Sequence, residues 1–105
     1  MLKIISEDKF SEEVLQNPRP VLVDFFATWC GPCKMMHPIL EDVKTKVGDS
    51  ATLIKIDVEQ AEELAMQYRI QAVPTLMIFK NGEMVWRGAG VQDAATLTAT
   101  LQQFT

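Results

Sequence analysis

The chain has 105 residues, 48% hydrophobic and 23% charged, with five Gly, five Pro and two Cys. That balance is the one expected of a single folded domain over residues 1–105 and argues against a disordered chain. The formal net charge is −4 with no basic cluster, which argues against nucleic acid and anionic membrane surfaces as partners.

The stretch Met1-Leu2-Lys3-Ile4-Ile5-Ser6-Glu7-Asp8 has no long apolar core followed by a small-residue cleavage site, so it does not read as a signal peptide. No apolar run approaches the ~18 residues of a membrane span. A starting Met then points to an unprocessed, cytosolic chain. Ser6 is expected to cap a first helix striped by Phe10, Val14 and Leu15. Pro18 and Pro20 punctuate a turn. Val21-Leu22-Val23-Asp24-Phe25-Phe26 is apolar on both alternating faces except at Asp24, the pattern of a central strand covered on both sides. After a short loop, Pro32 to Val47 is helical, with Met36, Leu40, Val43 and Val47 on one face. Pro38 is expected to kink that helix, and Gly48-Asp49 to end it. Thr52 to Val58 reads as a strand, Glu59 to Tyr68 as a short helix and Pro74 to Lys80 as a strand. Asn81-Gly82 closes a hairpin onto Glu83–Arg87, and Asp93 caps a last helix through Leu97, Leu101 and Phe104. The order reads β-α-β-α-β-α-β-β-α. It predicts an α/β fold of three layers, with a mixed sheet of about five strands and about four helices on its two faces. With no further unburied stripe, a monomer is expected.

Cys30-Gly31-Pro32-Cys33 carries the chemistry. It falls where the central strand ends and the long helix begins. A helix N-terminus offers unpaired N–H groups and a partial positive charge, which favour a thiolate over a thiol. A C-x-x-C pair beside a βαβ pattern is an established cue for a redox domain. From position, Cys30 is expected to be the exposed attacking thiolate, and Cys33, one turn in, the covered resolving thiol. Half a zinc site stays open as an alternative, although only His37 is at hand as a further ligand. A structural disulfide and inert buried thiols also stay open; a bridge across two residues would stabilise little. Asp24 interrupts an apolar strand that feeds the Cys loop. Buried there it would carry a raised pKa and could exchange protons with Cys33; otherwise it faces a polar patch or open edge. Lys55 is its plausible partner, though taken alone it reads as a surface lysine. Trp29, taken alone, reads as a core aromatic, and the six Met mostly as core filler. His37 reads as a surface or packing residue. The bond before Pro74 reads as trans, with cis the minority alternative.

The chain resembles the thioredoxin family along essentially its whole length. The matching pieces are Val23-Asp24-Phe25, Ala27, Trp29-Cys30-Gly31-Pro32-Cys33-Lys34-Met35, Pro38-Ile39-Leu40, Lys55, Val73-Pro74-Thr75, Phe79-Lys80-Asn81-Gly82 and Gly90. The resemblance implies a thioredoxin fold and a protein disulfide reductase, with Cys30 as nucleophile and Cys33 as resolving thiol. It implies that Asp24 is a buried acid assisting Cys33 with Lys55 near it, and that the bond before Pro74 is cis. It implies a flat docking surface of Trp29, Gly31, Pro32, Ala72, Val73, Pro74, Gly90 and Val91, where backbone near Val73 adds a substrate strand. Gly-Pro between the cysteines resembles the reducing members more than the oxidising or isomerising ones. Electrons would come from a thioredoxin reductase that holds the flavin and uses NADPH; this chain would bind neither cofactor, and no metal. Phe26 departs from the Trp of many bacterial members, and His37 from the residues common there. A cationic imidazole one turn past Cys33 is a candidate tuner of thiol pKa or partner choice. A binding module that clamps partners without turnover is the rival class.

Overall fold

A computed structural model describes residues 2–105; Met1, read above as the mark of an unprocessed chain, lies outside them. Five strands form one mixed sheet: β1 (Lys3–Ile4), β2 (Val21–Phe26), β3 (Thr52–Asp57), β4 (Thr75–Lys80) and β5 (Glu83–Ala89). Their spatial order is β1-β3-β2-β4-β5. β1 and β2 pair with β3 in parallel, while β4 is antiparallel to both β2 and β5. All six residues of β2 are buried because layers cover both of its faces. On one face Val23 and Phe25 pack with Ile54, Ile56, Met77 and Phe79 under the N-terminal helical segment and Leu64. On the other, Leu22, Leu53, Leu76 and Ile78 meet Met36, Leu40 and Val43 of α1 (Gly31–Val47) and Leu97 and Leu101 of α3 (Ala94–Gln102).

Pro38 lies inside α1 without ending it, and Gly48 terminates the helix with φ +57°. The hairpin forms as the sequence predicts. Asn81 (φ +54°) and Gly82 (φ +81°) both take the left-handed conformation that a two-residue turn needs. A bulge follows, since Ile78 pairs with Trp86 but Phe79 with Met84.

The N-terminal segment departs from expectation. Phe10 and Val14 are buried as predicted, but Ser6 caps nothing: its hydroxyl bonds the Asp8 carboxylate instead. The chain winds there as a 3₁₀ turn, Glu7–Lys9, and a wider π-type turn, Ser11–Leu15. The helix α2 (Glu62–Gln67) is shorter than the predicted Glu59–Tyr68. Asp57 takes the Glu59 N–H on its carboxylate at 2.9 Å and the Gln60 N–H on its carbonyl at 3.0 Å, so the chain turns before it coils. Glu7 then reaches across to accept the Leu64 N–H at 2.8 Å, a cap supplied from 57 residues away. Asp93 caps α3 as expected, accepting the Thr96 N–H at 2.8 Å.

Candidate active site

β2 carries Asp24 and Phe26 and delivers the chain, through Ala27–Trp29, to Cys30 at the N-cap of α1. Cys30 and Cys33 are joined as a disulfide, with Cα atoms 5.2 Å apart. The Cys33 N–H donates to Cys30 Sγ at 3.1 Å. That bond satisfies one of the orphan donors of the helix start. Pro32 fits beside it, because a missing N–H costs nothing in the first turn.

Three segments distant in sequence meet here. Cys30 Sγ lies 3.6 Å from the Val73 carbonyl oxygen, and the Val73–Pro74 bond is cis, as the resemblance implied and the residues alone did not. The Gly90 N–H donates to the Pro74 carbonyl at 2.8 Å, and the Gln92 N–H to Met36 Sδ at 3.4 Å. The expected exposure of Cys30 is not observed. Cys30 is 4% accessible and Cys33 2%, both packed with Phe26, Ala27 and Val73. Cys30 is covered because its sulfur turns in against the Val73 carbonyl. Trp29, read alone as core, is instead 69% exposed; Gly31, Pro32, Ala72 and Val91 are also exposed, and Val73 and Gly90 half-buried. The methionines divide differently from expectation: Met36 and Met77 fill the core, but Met35, Met66 and Met84 face solvent.

Asp24 is wholly inaccessible and lies on the α1 side of the sheet, between Leu22 and Phe26. Neither carboxylate oxygen has a hydrogen-bond partner among the described residues. Burial pushes its pKa from 3.8 up to about 7, against the opposing pull of Lys55. Lys55 pairs with Asp24 in the parallel register of β2 and β3. It is only 8% accessible, so the surface reading fails. Its stem packs in the sheet face, and its ammonium sits 4.6 Å above the centre of the Phe26 ring. Lys55 Nζ also lies 3.4 Å from His37 Nδ1, whose Nε2 is 3.4 Å from Glu41 Oε1. Phe26, Ala27, Thr28, Cys33, Lys34, His37 and Lys55 line a cavity of about 310 Å³. The contact of His37 with Lys55 was not read from the sequence. The signal was there in part: His37 is four residues past Cys33, hence on the same helix face.

The arrangement can cycle between dithiol and disulfide, with a buried acid titrating near neutrality on the sheet face that α1 covers. The thioredoxin family model matches residues 1–103. A thioredoxin-like protein of Synechocystis sp. is 50% identical over 95 residues, covering 90% of this chain and 90% of that protein. The thioredoxin of Mycobacterium tuberculosis is 41% identical over 97 residues, 92% of this chain and 84% of that one. A chloroplastic thioredoxin Y of Oryza sativa is 45% identical over 93 residues, 89% of this chain and 55% of that protein. The chain belongs to the thioredoxin family.

Proposed function

We propose that this thiol–disulfide oxidoreductase is a general protein disulfide reductase in which Cys30 attacks and Cys33 resolves. The observation that carries the reading is the Cys30–Cys33 bridge at the start of α1, with the Cys33 N–H directed at Cys30 Sγ. A donor and a helix N-terminus aimed at one sulfur favour its thiolate. The Cys30 thiolate attacks one sulfur of the substrate disulfide; a mixed disulfide forms and the other substrate sulfur leaves as thiolate. Cys33, deprotonated, then attacks Cys30 Sγ, closes the internal bridge and expels the second substrate thiolate. The substrate gains two electrons and two protons, and the Cys pair loses them. Asp24 is the acceptor for the Cys33 proton, and its titration near neutrality suits that task.

Residues 1–105 are read as one domain. Trp29, Gly31, Pro32, Ala72, Val73, Gly90 and Val91 form the docking surface around the sulfurs, where an extended substrate segment adds to the Val73 backbone. Disulfide-containing proteins are the substrates, and an NADPH-dependent thioredoxin reductase restores the dithiol. A cytoplasmic, reducing setting suits a Gly-Pro pair of this kind. Among the described residues, no helix is long and apolar enough to cross a membrane. An insulin-type disulfide reduction assay with dithiothreitol as electron source tests the reading. Cys30→Ser should abolish turnover and Cys33→Ser should accumulate mixed disulfide. Wild-type turnover in Cys30→Ser sinks the reductase, and the absence of any adduct in Cys33→Ser favours a binding module.

A further inference from the structure

Two acceptors compete for the Lys55 ammonium. Asp24 pairs with Lys55 in strand register and lies on the same sheet face, yet its carboxylate oxygens have no partner among the described residues. The ammonium is instead found over Phe26 and 3.4 Å from His37 Nδ1. An ammonium has only donors, so Nδ1 facing it is the lone-pair nitrogen, and Nε2 carries the hydrogen toward Glu41. A protonated ring would set two cations 3.4 Å apart, so this contact belongs to the neutral imidazole. The titratable groups facing His37 are Glu41 and Lys34 on its own helix and Lys55 from β3. From β3, Lys55 pairs with Asp24 in register, its neighbour on β4 is the apolar Leu76, and from α1 the titratable group that the proposed function sets against it is Cys33.

We propose that His37 is a positioning residue that holds the Lys55 ammonium at the outer end of the cavity beside Cys33 and so keeps it from pairing with Asp24. Its bearing on turnover rests on the reading of Asp24 as the proton partner of Cys33. An unpaired Asp24 holds its proton close to the pH at which the dithiol works; an Asp24 paired with Lys55 gives it up earlier.

The test follows the Asp24 carboxyl carbon by NMR through a pH titration of the oxidised protein. His37→Ala should lower the Asp24 midpoint by about one pH unit, the lower end of what one close opposite charge imposes. His37→Asn, which offers an oxygen near the place of Nδ1, should return the midpoint toward wild type. In a Lys55→Met background His37→Ala should move nothing. An unmoved midpoint in His37→Ala, an Asn variant that behaves like Ala, or an equal shift in the Lys55→Met background overturns the proposal. The readout is Asp24 itself, so it is separate from the reductase reading. If the midpoint moves while the pH profile of insulin reduction does not, His37 is upheld as positioner and Asp24 fails as proton partner.

Discussion

Replacing Asp24 by Asn should stabilise the oxidised protein in a pH-dependent way. The carboxyl titrates at 3.8 when solvated and at about 7 in the fold, because burial disfavours its charge more than Lys55 restores it. The native state therefore binds the extra proton, and stability contributed by Asp24 is fully present below about pH 4. It is lost progressively as pH rises from about 4 to about 7, and no further above. At about 1.4 kcal/mol per pH unit, the rise from 3.8 to about 7 amounts to about 4 kcal/mol. Asn keeps the shape of the side chain but cannot ionise, so whatever its own unmet hydrogen bonds cost is the same at every pH. Urea unfolding of both proteins at pH 4 and pH 8, disulfide intact, isolates the charge. Asp8 and Asp93, held below the usual carboxylate range by their hydrogen bonds, contribute equally to both proteins and cancel. The stability of the Asp24→Asn variant minus that of wild type should grow by about 4 kcal/mol between the two pH values. A difference constant to within about 1 kcal/mol would refute the account of a desolvated, unpaired carboxyl.

Glu7→Ala should cost about 1 kcal/mol, as loss of a helix cap does, and should speed hydrogen exchange at the Leu64 amide that Glu7 holds at 2.8 Å; unchanged exchange there would show that the cap is idle. Gly82→Ala should cost about 1 kcal/mol or more, because Gly82 has φ +81° and a Cβ there would come within 3.2 Å of the Leu15 carbonyl oxygen. Thermal unfolding measures it, and an unchanged midpoint would contradict the turn geometry. Leu101→Ala should cost about 3 kcal/mol, since Leu101 is fully buried between α3 and the sheet; denaturant unfolding checks the size, and a loss under about 1 kcal/mol would mean the layer collapses around the gap.

The central strands and the long helix were legible because their periods are unmixed: Val21–Phe26 has no polar residue but Asp24, and Met36, Leu40, Val43 and Val47 keep helical spacing over 12 residues. Asn81-Gly82 was legible because few dipeptides suit two left-handed residues in succession. The helix starts were less so. Ser6 has the right chemistry for a cap but spends its hydroxyl on Asp8, and α2 begins late because Asp57 ties the preceding turn. Its cap comes from Glu7, a tertiary contact that no local pattern encodes. In the site, the cysteines were found by their motif and Asp24 by its contrast with its neighbours. The burial of Cys30 was misread because chain position places it near the loop, while the cover arrives from Val73, 43 residues on. Lys55 was misjudged alone because a lysine by itself says surface; its place beside Asp24 was legible from the neighbouring strand and is met by the register, while its contact with His37 comes only from the fold.

The join between Val73, Pro74 and Gly90 means that no continuous piece of this chain owns the redox centre. The cysteines sit at the start of α1, just beyond the end of β2, the carbonyl against Cys30 lies just before β4, and these strands meet through pairs as close to the site as Phe25 with Thr75. A chain severed in the connection from α2 to β4 would leave both cysteines on one fragment and their cover on the other. The pair would keep its thiols but regain its surroundings only when the two fragments reassembled one sheet. Reductase activity in this protein is therefore also a gauge of whether β2 and β4 lie in register.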